Sequence, residues 1–118
     1  MIRAALIAIL MTPVAAAAQQ ASSLNGGDIR VLDKVTGRVT DVVMRVGEQK
    51  DVGLLSIQMN DCRVPADNPS GDAYAELRVM YRDGVDPVFS GWMIASAPAL
   101  NAMDHPRYDV WVMRCETL

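Results

Sequence analysis

One histidine, His105, is the only side chain in this 118-residue chain suited to act as a general base near neutral pH. It stands in the stretch Met103-Asp104-His105-Pro106. A serine or cysteine nucleophile needs such a base within hydrogen-bond reach, itself oriented by a third group. Asp104 or Asp109 could orient the ring, so a small hydrolase centred on His105 is one reading. The other is a cap or turn histidine that packs against tryptophan or bonds to the backbone, and the residues favour it. Zinc needs three or four converging ligands, for which Asp104, His105 and Asp109 make a poor set. Cys62 and Cys115 have neither Cys-x-x-Cys spacing nor a second histidine, so redox and zinc chemistry suit them badly. The acids Asp28, Asp33, Asp67, Asp72, Asp83 and Asp86 fall in turns, where aspartate serves local hydrogen bonding, not as a carboxylate pair for glycoside chemistry. Gly26-Gly27 and Gly84 lack the strand-to-helix context of a phosphate loop. Among eight methionines, Met44, Met59, Met80, Met93 and Met113 lie in strand-like stretches, and core filling explains them better than a copper(I) thioether site. No catalytic residue, cofactor or metal is expected.

Surface is then what is left to carry a function. Phe89, Trp92 and Trp111 are large aromatics in a chain with 5% aromatic residues, all in its last third. They form the candidate contact surface. Trp92 alternates with Phe89, Gly91 and Met93, so either the strand is central and buried on both faces or Trp92 is an exposed anchor.

The elements that must position these residues read as short strands between turn signals. Ile29, Val31 and Leu32 make the first, ahead of a turn at Lys34-Val35-Thr36-Gly37. Arg38 to Val46 is rich in β-branched residues, with Val42, Met44 and Val46 on one face, and Gly47-Glu48-Gln49-Lys50 punctuates it. Leu55, Ile57 and Met59 alternate with Ser56, Gln58 and Asn60 in a half-buried strand. If Cys62 also points inward, the register must shift near Asp61, and a β-bulge achieves that. Pro65 to Asp72 is a loop. Ala73 to Tyr81 is a strand, Arg82-Asp83-Gly84 a turn, and Val88 to Ala95 an apolar strand of central type in which Gly91 marks a bulge or close approach. One or two helical turns fit Ser96 to His105, ended by Pro106. Tyr108 to Cys115 closes the pattern, with Trp111, Met113 and Cys115 inward. Six such strands predict an all-β domain, a small antiparallel sandwich or barrel with one short helical turn before the last strand.

The N-terminus fixes the compartment. Arg3, an apolar run from Ala4 to Met11, Pro13, and Ala16-Ala17-Ala18 have the order of a cleavable export signal. The run is too short for a spanning helix of about 20 residues. The expected organisation is a signal peptide over 1–18 with cleavage before Gln19, a flexible lead over 19–27, and one β domain over 28–118. The net charge of −3 becomes −4 once Arg3 is removed, and without a basic stripe there is no expectation of nucleic acid or of membrane insertion after cleavage. In an exported chain of this size, Cys62 and Cys115 most simply form one disulfide. Closing such a loop is worth roughly 4 kcal/mol in the chain-entropy model.

One resemblance emerges from Leu32-Asp33-Lys34-Val35-Thr36-Gly37, Asn60-Asp61-Cys62-Arg63, and the run Val88-Phe89-Ser90-Gly91-Trp92-Met93-Ile94-Ala95-Ser96-Ala97-Pro98-Ala99-Leu100 followed by His105-Pro106 and Tyr108-Asp109-Val110-Trp111-Val112 and ending at Cys115. These elements, in this order, resemble the alphaproteobacterial domain-of-unknown-function 2155 family across nearly the whole mature chain. The resemblance implies a signal peptide and a small periplasmic domain, and it brings no catalytic residues. It further implies a partner: genes of the family neighbour one for an accessory subunit of respiratory NADH:quinone oxidoreductase. The leading expectation is a non-enzymatic periplasmic protein-binding domain, an accessory subunit on the periplasmic face of that membrane complex. The rivals are a free module binding carbohydrate or envelope polymer through a Trp92–Trp111 platform, and the His105 hydrolase.

Overall fold

A computed structural model describes residues 20–118, which form two antiparallel sheets packed face to face. The expected signal segment and its cleavage site lie outside the described residues. The strands are β1 (Ala21–Leu24), β2 (Gly26–Asp33), β3 (Val39–Arg45), β4 (Gln49–Val52), β5 (Leu55–Pro65), β6 (Tyr74–Tyr81), β7 (Phe89–Ile94) and β8 (Tyr108–Glu116), with one 3-10 turn at Pro98–Leu100. The larger sheet runs β1-β5-β6-β7, with β4 also paired to β5, and the smaller runs β3-β2-β8. Among the described residues no helix is long and apolar enough to cross a membrane.

Alternation along each strand builds the core between the sheets. Ile29 and Val31 from β2, Leu55, Ile57 and Met59 from β5, Leu77 and Val79 from β6, and Val110 and Val112 from β8 are all buried in one cluster. The bulge expected near Asp61 is present. Met59 pairs with Leu77 and Asp61 with Glu76, so Asn60 is the extra residue. That insertion turns Cys62 and Val64 inward, and Cys62 joins Cys115 in a disulfide with Cα atoms 5.6 Å apart. The bond links β5 to β8, and so one sheet to the other.

Four expectations are corrected. The lead over 19–27 is not a tether where it is described: β1 pairs with β5 from Ala21↔Pro65 to Leu24↔Cys62, and Gly26-Gly27 begins β2. The glycines are there for space. A Cβ on Gly27 would lie 2.6 Å from the Arg114 carbonyl oxygen and 2.8 Å from the Cys62 sulfur, so the disulfide sits where a side chain would be. Gln49 and Lys50, read as part of the turn Gly47-Glu48-Gln49-Lys50, instead begin the short strand Gln49–Val52, because its backbone pairs with Leu55–Gln58 beyond a two-residue turn. β7 lies at the edge of its sheet, not at its centre. Finally, Trp111 and Met113 do not face inward. Tyr108, Val110 and Val112 are the buried set, and a second bulge, where Ile29 pairs with Val112 and Asp28 with Arg114, skips Met113 and returns only Cys115 to the inner phase.

Candidate functional site

His105 sits in the connection from β7 to β8 and is 9% exposed. Its Nδ1 accepts the backbone N–H groups of Arg107 at 3.1 Å and Tyr108 at 3.2 Å, an assignment that leaves the proton of the neutral ring on Nε2. The ring lies 4.5 Å from that of Tyr81 and 6.0 Å from that of Tyr108. Lys34 Nζ donates to the His105 carbonyl at 2.6 Å and lies 3.7 Å from the Asp109 carboxylate. The nitrogen that a carboxylate would have to orient is therefore engaged by backbone, as the turn-histidine reading expects. Asp109 faces Lys34. Among the described residues no group of three or more His, Cys, Asp or Glu side chains is placed to hold a metal ion.

The three aromatics do not make one surface. Phe89 is 8% exposed and belongs to the core, so it is removed from the candidate interface. Trp92 pairs with Glu76 on the outer face of the larger sheet, and Trp111 pairs with Arg30 on the outer face of the smaller one. The sandwich separates them, which also removes the Trp92–Trp111 platform. Trp92 has other company: Arg63 stacks its guanidinium 5.2 Å from the indole centroid, and Tyr74 and Ile94 flank it around a shallow apolar hollow of about 250 Å³.

A deeper opening than this hollow lies on another flank, between β3 of the smaller sheet and β4 of the larger. There the sheets part over a cleft of about 720 Å³. Val31, Val42, Val52, Leu54 and Tyr108 supply its apolar side chains, and all but Leu54 belong to the core cluster or pack against it. Tyr108 spans the gap, its hydroxyl accepting the Leu54 N–H at 3.1 Å. Gly53 (φ +58°) makes room, since a Cβ there would lie 2.6 Å from that hydroxyl. Arg107 pairs with Asp33 at 3.1 Å. That hydrogen bond, helped by the amides of Val35 and Thr36 and opposed by burial, holds the Asp33 carboxyl below the usual carboxylate range. Arg38 and Thr40 on one wall and Asp51 on the other complete the lining. Among the described residues neither Arg38 nor Asp51 has an ion-pair partner. Residue types at Thr40 and Val42 announce a strand, but nothing in the sequence announces the gap beside it, because the gap depends on how far two sheets stand apart.

Comparison with known proteins bears on this arrangement. The profile of a family described as "Uncharacterized protein conserved in bacteria (DUF2155)" matches residues 27–115, which takes in every strand except β1, leaving out only Gly26 of β2 and Glu116 of β8. A protein of Rickettsia prowazekii (strain Madrid E), described as "Uncharacterized protein RP359", is 29% identical over 92 residues, covering 75% of this chain. The match spans 59% of that relative's length. No solved structure matches the chain.

Proposed function

The chain belongs to the DUF2155 family of uncharacterized bacterial proteins, and on that premise we propose that it is a non-enzymatic, exported domain whose work is to bind another protein. The observation that carries this reading is the open flank. An apolar cleft of about 720 Å³ continuous with the core is left beside a strand edge that, among the described residues, no strand covers, a combination that other polypeptides use for docking. The Cys62–Cys115 disulfide fits an oxidising, exported environment, and the N-terminal segment has the order of a cleavable signal. Together they support a periplasmic location. The partner we propose is respiratory NADH:quinone oxidoreductase, with this domain as an accessory subunit on its periplasmic face. The support is the implied neighbourhood of family genes.

The test is affinity purification of a C-terminally tagged full chain from gently solubilised membranes, followed by mass spectrometry. Stoichiometric recovery of NADH:quinone oxidoreductase subunits is the expected result. Recovery of the domain alone, from the soluble periplasmic fraction, would overturn the reading.

A further inference from the structure

The unpaired edge of β3 is specific enough to say what fits it. In an antiparallel strand the N–H and C=O of one residue point to the same side, and successive residues alternate. The Arg38 carbonyl accepts the Asp33 N–H, toward β2. The Val43 carbonyl accepts Lys50 Nζ at 2.7 Å, and the Arg45 carbonyl accepts the Glu48 N–H at 3.0 Å, both away from β2. The odd-numbered residues of β3 therefore face away from β2, toward the flank. Arg45 is engaged by its own turn, and the Val43 carbonyl is capped by Lys50. Val39 and Asp41 are left, each with an N–H and a C=O for which the described residues supply no bond.

These four groups lie beside the cleft. A strand laid along them would continue the smaller sheet, and alternate side chains would drop between the sheets onto Val42, Val52 and Tyr108. Charge on the walls limits the occupant further. Arg107 and Asp33 neutralise each other, whereas Arg38 on the β3 side and Asp51 on the β4 side face the opening without an ion-pair partner among the described residues. We infer that an extended segment of a partner polypeptide adds to β3 at Val39 and Asp41. It places one apolar side chain in the cleft, a carboxylate toward Arg38 and a cation toward Asp51, and it stops before Val43, where Lys50 holds the edge. This rests on the protein-binding reading and gives that partner its chemistry.

The test uses the full tagged chain, alone and as recovered with its membrane partner, and reads amide hydrogen exchange residue by residue. In the free chain the amides of Val39 and Asp41 exchange quickly, as unpaired edge groups do. In the complex both slow by about a hundredfold or more, while Val110 and Val112 on the other edge of the smaller sheet are unchanged. A second variant checks the side-chain half of the inference. Thr40→Arg fills the cleft and lowers recovery of the partner at least roughly tenfold, whereas Trp111→Ala, on the outer face, leaves recovery intact. A complex that forms with Val39 and Asp41 still exchanging quickly, or that tolerates Thr40→Arg, overturns this inference and leaves the protein-binding reading standing. Failure of the wild-type chain to recover any partner overturns both.

Discussion

The two flanks of the sandwich are built differently. On one, between β7 and β8, the connecting segment crosses from the larger sheet to the smaller and fills the gap as it goes. Met103 and His105 are buried there, Asn101 Nδ2 donates to the Trp92 carbonyl at 2.7 Å on the edge of β7, and His105 Nδ1 takes up the first amides of the returning chain. On the other flank, β3 passes to β4 through a tight turn at Val46–Glu48, so this connection has no residues to spare for closing the space. Lys50 reaches back to Val43, and beyond it the cleft is open. Both connections cross from one sheet to the other. The long one seals its side, and the tight turn leaves the other side available.

Breaking the covalent link between the sheets should cost most. The disulfide ties β8 to β5, and replacing both cysteines (Cys62→Ala with Cys115→Ala) should lower unfolding free energy by about 4 kcal/mol, read by denaturant titration. A loss under about 1 kcal/mol would mean that packing alone holds the sheets together. His105→Ala comes next. It removes the acceptor of two backbone N–H groups and the ring packed on Tyr81, and should destabilise by about 2–4 kcal/mol, seen as a lower Tm.

A smaller effect concerns acid. Asp72 joins the start of β6 to the end of β7. Burial works to raise its pKa, but hydrogen bonds from Ser96 Oγ at 2.6 Å, Ala73 N–H at 2.8 Å and Ser96 N–H at 3.0 Å outweigh it, so the carboxyl titrates below its ordinary value. A folded value below the unfolded one, about 3.9, gives stability that is fully present above that pH and is lost as pH falls through the folded value. Asp33, held down by Arg107, and Asp61 act in the same direction. Stability should therefore fall below about pH 4, and less steeply in Asp72→Asn, measured by urea unfolding from pH 2 to 7. Smallest of all is the open flank. Thr40→Arg should change unfolding free energy by under about 0.5 kcal/mol, and a larger loss would show that the cleft is part of the packed core after all.

How much of this was legible depended on whether a residue's environment was local. The alternation Leu55, Ile57, Met59 and the inward Cys62 located β5 and its bulge, because burial on one face writes a period of two. The loop Pro65–Asp72 declared itself by composition. β1 could not be read, since Ala21, Ser22 and Ser23 are exposed and only backbone pairing with β5 holds them. Gly26-Gly27 carries the composition of a linker, and the disulfide that excludes a side chain there comes from the far end of the chain. β8 was assigned the wrong face because its bulge reverses the phase after Val112, and the cysteine sets the phase only beyond that point. The edge position of β7 and the cleft beside β3 follow from sheet order, which no short segment encodes.

Sheet order also sets a timetable. β5, β6 and β7 are consecutive and can pair as soon as they emerge, whereas β2 waits for β8, with Gly26↔Glu116 among its pairs. A chain that appears N-terminus first holds its β2–β3 hairpin half-covered until the last residues arrive, and the closure of that long loop carries the entropic cost that slows folding. β8 is thus the last strand to join the smaller sheet, and truncating it would leave β2 unpaired on the side away from β3.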